Sequence, residues 1–275
     1  MTPSEPRISP ARPEDLRGLR GFVIDMDGVL WRGDQPLPGL ARFFQVLRRR
    51  GLRFILATNN NTRTPAGFAA KAASFGADVR PEEVITATTA ALQYLQTRYP
   101  PGTPVYAIGE KALKDQLEQA GYKLVERGAA VVLAALDREM TYQMLKIATL
   151  QLHAGAEFIG LNPDVVFPTD EGLVPGSGMV LAALQATTGC KPLVIGKPEA
   201  PMYRMALERM GLQPEECASL GDRLDTDILG GQRAGLKSIL VLSGVTRPED
   251  LAASPIRPDW VCRDIAELAD LLDAV

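Results

Sequence analysis

Phe22-Val23-Ile24-Asp25-Met26-Asp27-Gly28-Val29-Leu30-Trp31 reads as the end of a buried strand that runs straight into a pair of carboxylates and a glycine turn. On a strand, residues i and i+2 share a face. If the extended geometry continues, Asp25 and Asp27 point into one crevice and repel each other unless a cation or substrate lies between them. A plainer reading makes Asp25 a helix N-cap and Asp27 a turn former. The rest of the chain has to decide between the two.

The 275 residues, 46% of them hydrophobic, suffice for one large or two ordinary domains with a sizeable core. A net charge of -3 offers no broad basic field, so neither nucleic acid nor a membrane surface is expected as a partner. The one basic run, Arg48-Arg49-Arg50, falls near the end of an expected helix, where cations complement the dipole. Cys190, Cys217 and Cys262 are far apart, odd in number and without metal-like spacing, which predicts a reduced, cytoplasmic setting. Residues 1–19, rich in Pro, Arg and Glu and lacking an apolar h-region, are expected to form a tail and neither signal peptide nor anchor.

Along the chain, apolar runs of strand length alternate with stretches of helix length. Strands are predicted at Arg53 to Ala57, Val105 to Ile108, Ala130 to Leu136, Glu157 to Leu161, Leu193 to Ile195, Ala218 to Leu220, Ser238 to Leu242 and Trp260 to Cys262. Helices are predicted between them, for example Leu40 to Arg50, Pro65 to Phe75, Thr88 to Arg98 and Thr226 to Ala234. The stretch Gly172 to Gly178 breaks the pattern. Such alternation argues for an α/β fold with parallel sheets covered on both faces. Right-handed crossovers then bring every strand of a sheet to the same edge, and ligands bind beyond those carboxyl ends. Polar residues do cluster there: Asp25 and Asp27, then Thr58 and Asn59, then Lys197, then Asp222.

These positions make chemical sense together. Lys197, in Gly196-Lys197-Pro198, is a point charge suited to phosphate oxygens. Asp222, Asp225 and Asp227, pooled with Asp25 and Asp27, supply the hard oxygen donors that Mg²⁺ prefers. A calcium EF-hand fails on spacing, and its twelfth position would be Arg233. The only histidine, His153, falls late in an expected helix, so a Ser/His/Asp triad or a His-based zinc site has little to work with. No glycine-rich nucleotide loop is present.

Asp25-Met26-Asp27-Gly28-Val29-Leu30-Trp31, Thr58-Asn59-Asn60, Gly196-Lys197-Pro198-Glu199 and Gly221-Asp222-x-x-x-Thr226-Asp227-Ile228 resemble, in order, the four motifs of the haloacid dehalogenase superfamily. More narrowly the chain resembles its NagD, 4-nitrophenylphosphatase and pyridoxal or phosphoglycolate phosphatase subfamily. Asn61 stands where many relatives carry Ser. The resemblance implies a Rossmann-like, doubly wound core in two parts, 1–87 and 191–275, around an inserted α/β cap at 88–190. It further implies Mg²⁺-dependent hydrolysis of small phosphomonoesters, a phosphorylated metabolite as substrate and a homodimer through the cap.

Carried over residue by residue, Asp25 is the nucleophile that forms an aspartyl phosphate and Asp27 the acid and then base. Asp25, the Asp27 backbone carbonyl and Asp222 hold Mg²⁺. Thr58, Asn59, Asn60 and Lys197 bind phosphoryl oxygens, and Asp227 orients Lys197 or a metal-bound water. A phosphotransferase or phosphomutase would use the same intermediate. A non-catalytic phosphate-binding module would be expected to have lost one of Asp25, Asp27, Lys197 and Asp222. In the cap, Leu136 and Phe167 are expected either to grip the organic part of a substrate or to be core, and Asn162 and Asp164 either to bond its polar groups or to form a turn.

Overall fold

Chain order alternates strand and helix nearly throughout. The computed structural model describes residues 10–169 and 172–275, and the side chains of 167–169 lie outside that description. After a 3₁₀ turn at Pro13–Leu16 come β1 (Gly21–Ile24), the hairpin of β2 (Trp31–Arg32) and β3 (Gln35–Pro36), α1 (Leu40–Arg49), β4 (Arg53–Thr58), α2 (Pro65–Ser74) and β5 (Val84–Thr86). Next are α3 (Ala87–Arg98), β6 (Pro104–Ile108), α4 (Lys111–Gln119), β7 (Lys123–Leu124), β8 (Val131–Ala134), α5 (Tyr142–His153) and β9 (Glu157–Gly160). The hairpin of β10 (Val166–Thr169) and β11 (Gly172–Pro175), α6 (Ser177–Thr188) and β12 (Leu193–Val194) follow. The chain closes with α7 (Ala200–Met210), β13 (Cys217–Gly221), α8 (Leu229–Arg233), β14 (Lys237–Val241), α9 (Pro248–Ala253), β15 (Trp260–Cys262) and α10 (Ile265–Asp273).

These elements divide into two units. The first comprises the residues through Thr58, Pro65–Ile85 and Pro198–Val275. Its sheet, among the described residues, is six-stranded in the order β15-β14-β13-β1-β4-β5. β1 lies between β13 and β4, parallel to both, with Ile24 opposite Leu220 on one side and Leu56 on the other. Phe22 and Ile24 share a core with Phe43, Phe44 and Leu47 of α1 and with Leu268 and Leu272 of α10. Phe44 meets Phe54 edge-on at 5.0 Å between ring centroids. Each such buried side chain contributes roughly 1.5–3 kcal/mol. Asp264 caps α10 by accepting the Glu267 N–H at 2.9 Å, which satisfies one of the amides that a helix start leaves without an intrahelical partner.

The second unit comprises Asn59–Thr64 and Thr86–Lys197. Its parallel sheet runs β12-β9-β8-β6-β7. Tyr106, Ile108, Val132 and Phe158 from the strands pack with Leu152 of α5 and Val180, Leu181 and Leu184 of α6. α3 is capped by a reciprocal box in which Thr86 Oγ1 accepts from Thr89 N at 3.1 Å and the Thr86 N–H reaches Thr89 Oγ1. Among the described residues, no helix is long and apolar enough to cross a membrane.

Besides the short strands β2, β3, β5, β7 and β10, which the apolar runs do not mark, several features differ from the pattern read in the sequence. The break expected at Gly172 to Gly178 holds β11, which pairs back onto β10, and the start of α6. α6 is apolar on most faces, so no helical period stands out in it. β12, read as a strand of the third series, pairs with β9 in the second sheet, and the second unit runs through Lys197. The helix expected from Thr226 begins as a π-turn over Leu224–Ile228 before α8. Finally, α9 was absent from the pattern, being only six residues long.

One buried ion group makes a test of the first unit. Glu83 is 7% exposed. Its carboxylate accepts from Arg48 at 2.6 Å and from Arg80 at 2.8 Å. Burial pushes this carboxyl up, but the hydrogen bonds from both guanidiniums and the Arg80 N–H outweigh it and hold the group at about 2. A depressed carboxylate contributes stability that is complete above its unfolded value of 4.5 and lost as pH falls toward 2. Water screens the pair with the largely exposed Arg80, so the amount is on the order of 1–2 kcal/mol. Glu83→Gln should therefore be less stable than wild type at pH 7, and urea unfolding at a series of acidic pH values should show that gap narrowing below about 4.5. A gap independent of pH would rule out the ionic contribution.

Candidate active site

At the carboxyl edge of the first sheet, the ends of β13, β1 and β4 lie side by side and carry Asp222, Asp25 and Thr58. The Asp25 N–H donates to Leu220 O at 2.8 Å, which extends the β1–β13 ladder by one residue and fixes where the side chain leaves the sheet. Thr58, 3% exposed, is the last residue of β4. Carboxylate oxygens of Asp25, Asp222 and Asp227 lie within 4.8 Å of one another.

Asp222 and Asp227 are both buried, at 1% and 2% exposure. Main-chain donors hold them. Asp222 Oδ2 accepts from the Val245 N–H at 2.6 Å, and Asp227 Oδ2 accepts from the Arg223 N–H at 3.1 Å. A Cβ on Gly28, which sits at φ 85°, would stand 2.5 Å from Asp222 Oδ2, and one on Gly244 would overlap the same carboxylate. Glycine at both places lets the loops after β1 and β14 close on Asp222. The π-turn that carries Asp227 frees carbonyls from the ordinary helical ladder. The buried hydroxyl of Tyr203 donates toward two of them, Thr226 O at 3.2 Å and Asp227 O at 3.1 Å.

Asp27 behaves differently. It is exposed, its side chain is absent from the carboxylate cluster, and Oδ1 accepts from the indole Nε1–H of Trp31 at 3.1 Å. The main-chain N–H of Gly28 also turns back, donating to Trp31 O at 2.8 Å.

A hard, all-oxygen set of three carboxylates, two of them buried and cradled by glycines, suits a divalent cation such as Mg²⁺. Cysteine chemistry does not compete for the site. Burial pushes the Cys217 and Cys262 thiols up to about 12, so neither forms a thiolate near neutral pH.

Asn59, Asn60 and Lys197 fall within the second unit. The Asn59 carboxamide takes both main-chain groups of Lys197, accepting its N–H at 2.8 Å and donating to its carbonyl at 2.9 Å. The same amide reaches Asp164 Oδ2 at 2.9 Å. Asn60 Oδ1 accepts from Thr62 N–H at 3.0 Å, a local turn. Asn162, 5% exposed, donates to Asn59 O at 3.1 Å and accepts from Asp164 N at 3.2 Å. Lys197 is itself 4% exposed. Leu136 is half-buried, with its N–H on Ser177 Oγ at 3.0 Å. Phe167 lies on β10 opposite Val174, and its side chain is outside the described residues.

The sequence reading passed over the loop after β14. Ser243 Oγ donates to Gly28 O at 2.8 Å, and Arg32 donates to Ser243 O. A Ser-Gly pair directly after a buried strand was the available signal.

Residues 22–123 match the haloacid dehalogenase-like hydrolase family model, and residues 194–268 match the HAD-hydrolase-like model. A dihydroxyacetone phosphatase of Corynebacterium glutamicum is 36% identical over 92% of this chain and 91% of its own. Among solved structures, the 4-nitrophenylphosphatase of Thermotoga maritima superposes with a TM-score of 0.88 at 34% identity, covering 93% of this chain and 98% of that one. NagD from E. coli K-12 does so with a TM-score of 0.83 at 34% identity, covering 90% and 98%. With the four motifs in order and carboxylates converging at the carboxyl ends of adjacent strands, the chain belongs to the haloacid dehalogenase-like hydrolases, as a NagD-like phosphomonoester phosphatase.

Proposed function

We propose that this enzyme hydrolyses small phosphorylated sugars of triose size or somewhat larger through an aspartyl phosphate on Asp25, and that the second unit acts as a cap that selects the leaving group. The observation that supports this best is the convergence of Asp25, Asp222 and Asp227 within 4.8 Å beside Thr58 on the neighbouring strand. The relative named for dihydroxyacetone phosphate supports the substrate class.

In this reading a carboxylate oxygen of Asp25 attacks phosphorus, an O–P bond forms, and the bond to the substrate oxygen breaks. Asp27 gives its proton to that departing oxygen. Water then attacks phosphorus of the aspartyl phosphate while the Asp27 carboxylate takes a proton from it; the Asp25 O–P bond breaks, phosphate is released, and Asp25 returns as a carboxylate and Asp27 as the acid. Thr58, the Asn59 main chain and Lys197 bind phosphoryl oxygens, a role carried over from the family motifs. Asp25, Asp222 and the Asp27 carbonyl would hold Mg²⁺, and Asp227 stands close enough to complete or orient that set. The bound cation supplies charge neutralisation between an anionic nucleophile and an anionic substrate.

The chemistry is tested by leaving-group dependence. Asp25→Asn should abolish turnover of every phosphomonoester. Asp27→Asn should depress kcat/KM, which reports the leaving-group step alone, for dihydroxyacetone phosphate far more than for 4-nitrophenyl phosphate, whose nitrophenolate departs with little need of a proton. Equal losses on both would remove the acid role from Asp27.

The metal site is tested without turnover. Mg²⁺ added to metal-free protein should raise the melting temperature by mass action, and Asp222→Asn should abolish that rise. A melting curve indifferent to Mg²⁺ in the wild type would speak against this ligand set.

A further inference from the structure

Trp31 is the residue to which Asp27 is tied, and the tie is built from both its main chain and its side chain. The indole Nε1–H donates to Asp27 Oδ1 at 3.1 Å. The Trp31 carbonyl accepts the Gly28 N–H from three residues back at 2.8 Å, while the Trp31 N–H donates to Met26 O at 3.3 Å. The ring is fully buried. It packs tilted against Phe75, with centroids 6.0 Å apart, and the Lys71 ammonium stands 4.8 Å from its centroid. Lys71 is in turn fixed by donating to Gly33 O at 2.7 Å. The β2–β3 hairpin, with Trp31 opposite Pro36, closes the loop behind it.

A side chain chosen only to fill this space could be Phe or Leu. Tryptophan adds a donor at the edge of a rigid apolar body, and here that donor emerges from the core onto an exposed carboxylate. A cation over the ring face draws π density toward itself and leaves the N–H more polar. A hydrogen bond to one oxygen narrows the staggered wells that an exposed Asp visits, and proton delivery requires a defined orientation.

We infer that Trp31 is a positioning residue for Asp27, holding one carboxylate oxygen so that the group meets the leaving oxygen in a fixed orientation. The inference rests on the reading of Asp27 as acid and base.

The test uses the full-length enzyme with Mg²⁺ and compares kcat and KM on 4-nitrophenyl phosphate and on dihydroxyacetone phosphate. Trp31→Phe, and Trp31 replaced by β-(3-benzothienyl)alanine, which keeps the indole shape without the N–H, are set against Asp27→Asn and the corresponding double variants. The benzothienyl variant keeps the test valid if Trp31→Phe melts early. The expected result is a fall in kcat/KM for dihydroxyacetone phosphate of roughly tenfold or more, the scale of one hydrogen bond to a charged group. The kcat/KM for 4-nitrophenyl phosphate should be nearly unchanged, with no further loss on either substrate when the change is added to Asp27→Asn. Equal loss on both substrates, or loss additive to that of Asp27→Asn, would show that Trp31 only packs and would overturn the inference while leaving the role of Asp27 intact. If Asp27→Asn itself fails to distinguish the substrates, the acid reading falls and this inference falls with it.

Discussion

Three carboxylates held within 4.8 Å are the constraint around which the first unit is arranged. At an effective dielectric near 20, each pair of charges at that spacing repels by about 3 kcal/mol. Nothing in the carboxylates favours their meeting, so the surrounding fold must impose it. Two neighbouring parallel strands do the first part, because the β1–β13 register and the Asp25 N–H on Leu220 O bring Asp25 out beside Asp222. Main-chain N–H groups of Val245 and Arg223 do the second, since each holds one carboxylate oxygen, of Asp222 and of Asp227, in a fixed place. A divalent cation held there would offset the rest, and protein stability and metal binding would thereby be linked.

That constraint explains features which look accidental in isolation. A side chain on Gly28 or Gly244 would collide with the Asp222 carboxylate, and one on Gly221 would collide with Asp227. The π-turn at Leu224–Ile228 brings Asp227 to the cluster, and its displaced carbonyls are met by Tyr203 from α7. The short helix that follows packs closely because Gly230 faces the Tyr203 ring and Gly231 faces Ser219. Glycines, the π-turn and a buried tyrosine are thus consequences of where one carboxylate has to be.

Much of this was legible in the sequence, for a physical reason. Buried parallel strands are continuous apolar runs, and right-handed crossovers send all their ends to one edge, so Asp25, Thr58 and Asp222 could be placed at that edge from the pattern alone. Pairing between strands far apart in sequence leaves no such local mark, which is why β12 was read into the wrong series and its partner β9 became apparent only in three dimensions. α6 escaped because burial against Tyr106, Val132 and Phe158 on one side is accompanied by apolar residues elsewhere, erasing the helical period. The Trp31–Asp27 bond was equally invisible, since a four-residue loop can aim an indole in many directions and only the β2–β3 hairpin selects one.

A polar residue just after a strand has two uses, to meet a ligand or to satisfy the backbone where the ladder stops, and sequence position does not separate them. Burial and partners do. Asn162 follows β9 as Asp25 follows β1, but it is 5% exposed, its amide nitrogen serves Asn59 O and its oxygen serves Asp164 N. Asn59 similarly gives its carboxamide to both main-chain groups of Lys197. These side chains shape the main chain at the ends of β4, β9 and β12, in the manner of an Asx turn spread over three segments. A buried amide whose donors and acceptor already have partners would lose those bonds by turning to a substrate, at a cost of about 1–3 kcal/mol for each group left unsatisfied. An exposed carboxylate such as Asp27 keeps water within reach when it turns, so the same movement costs it less.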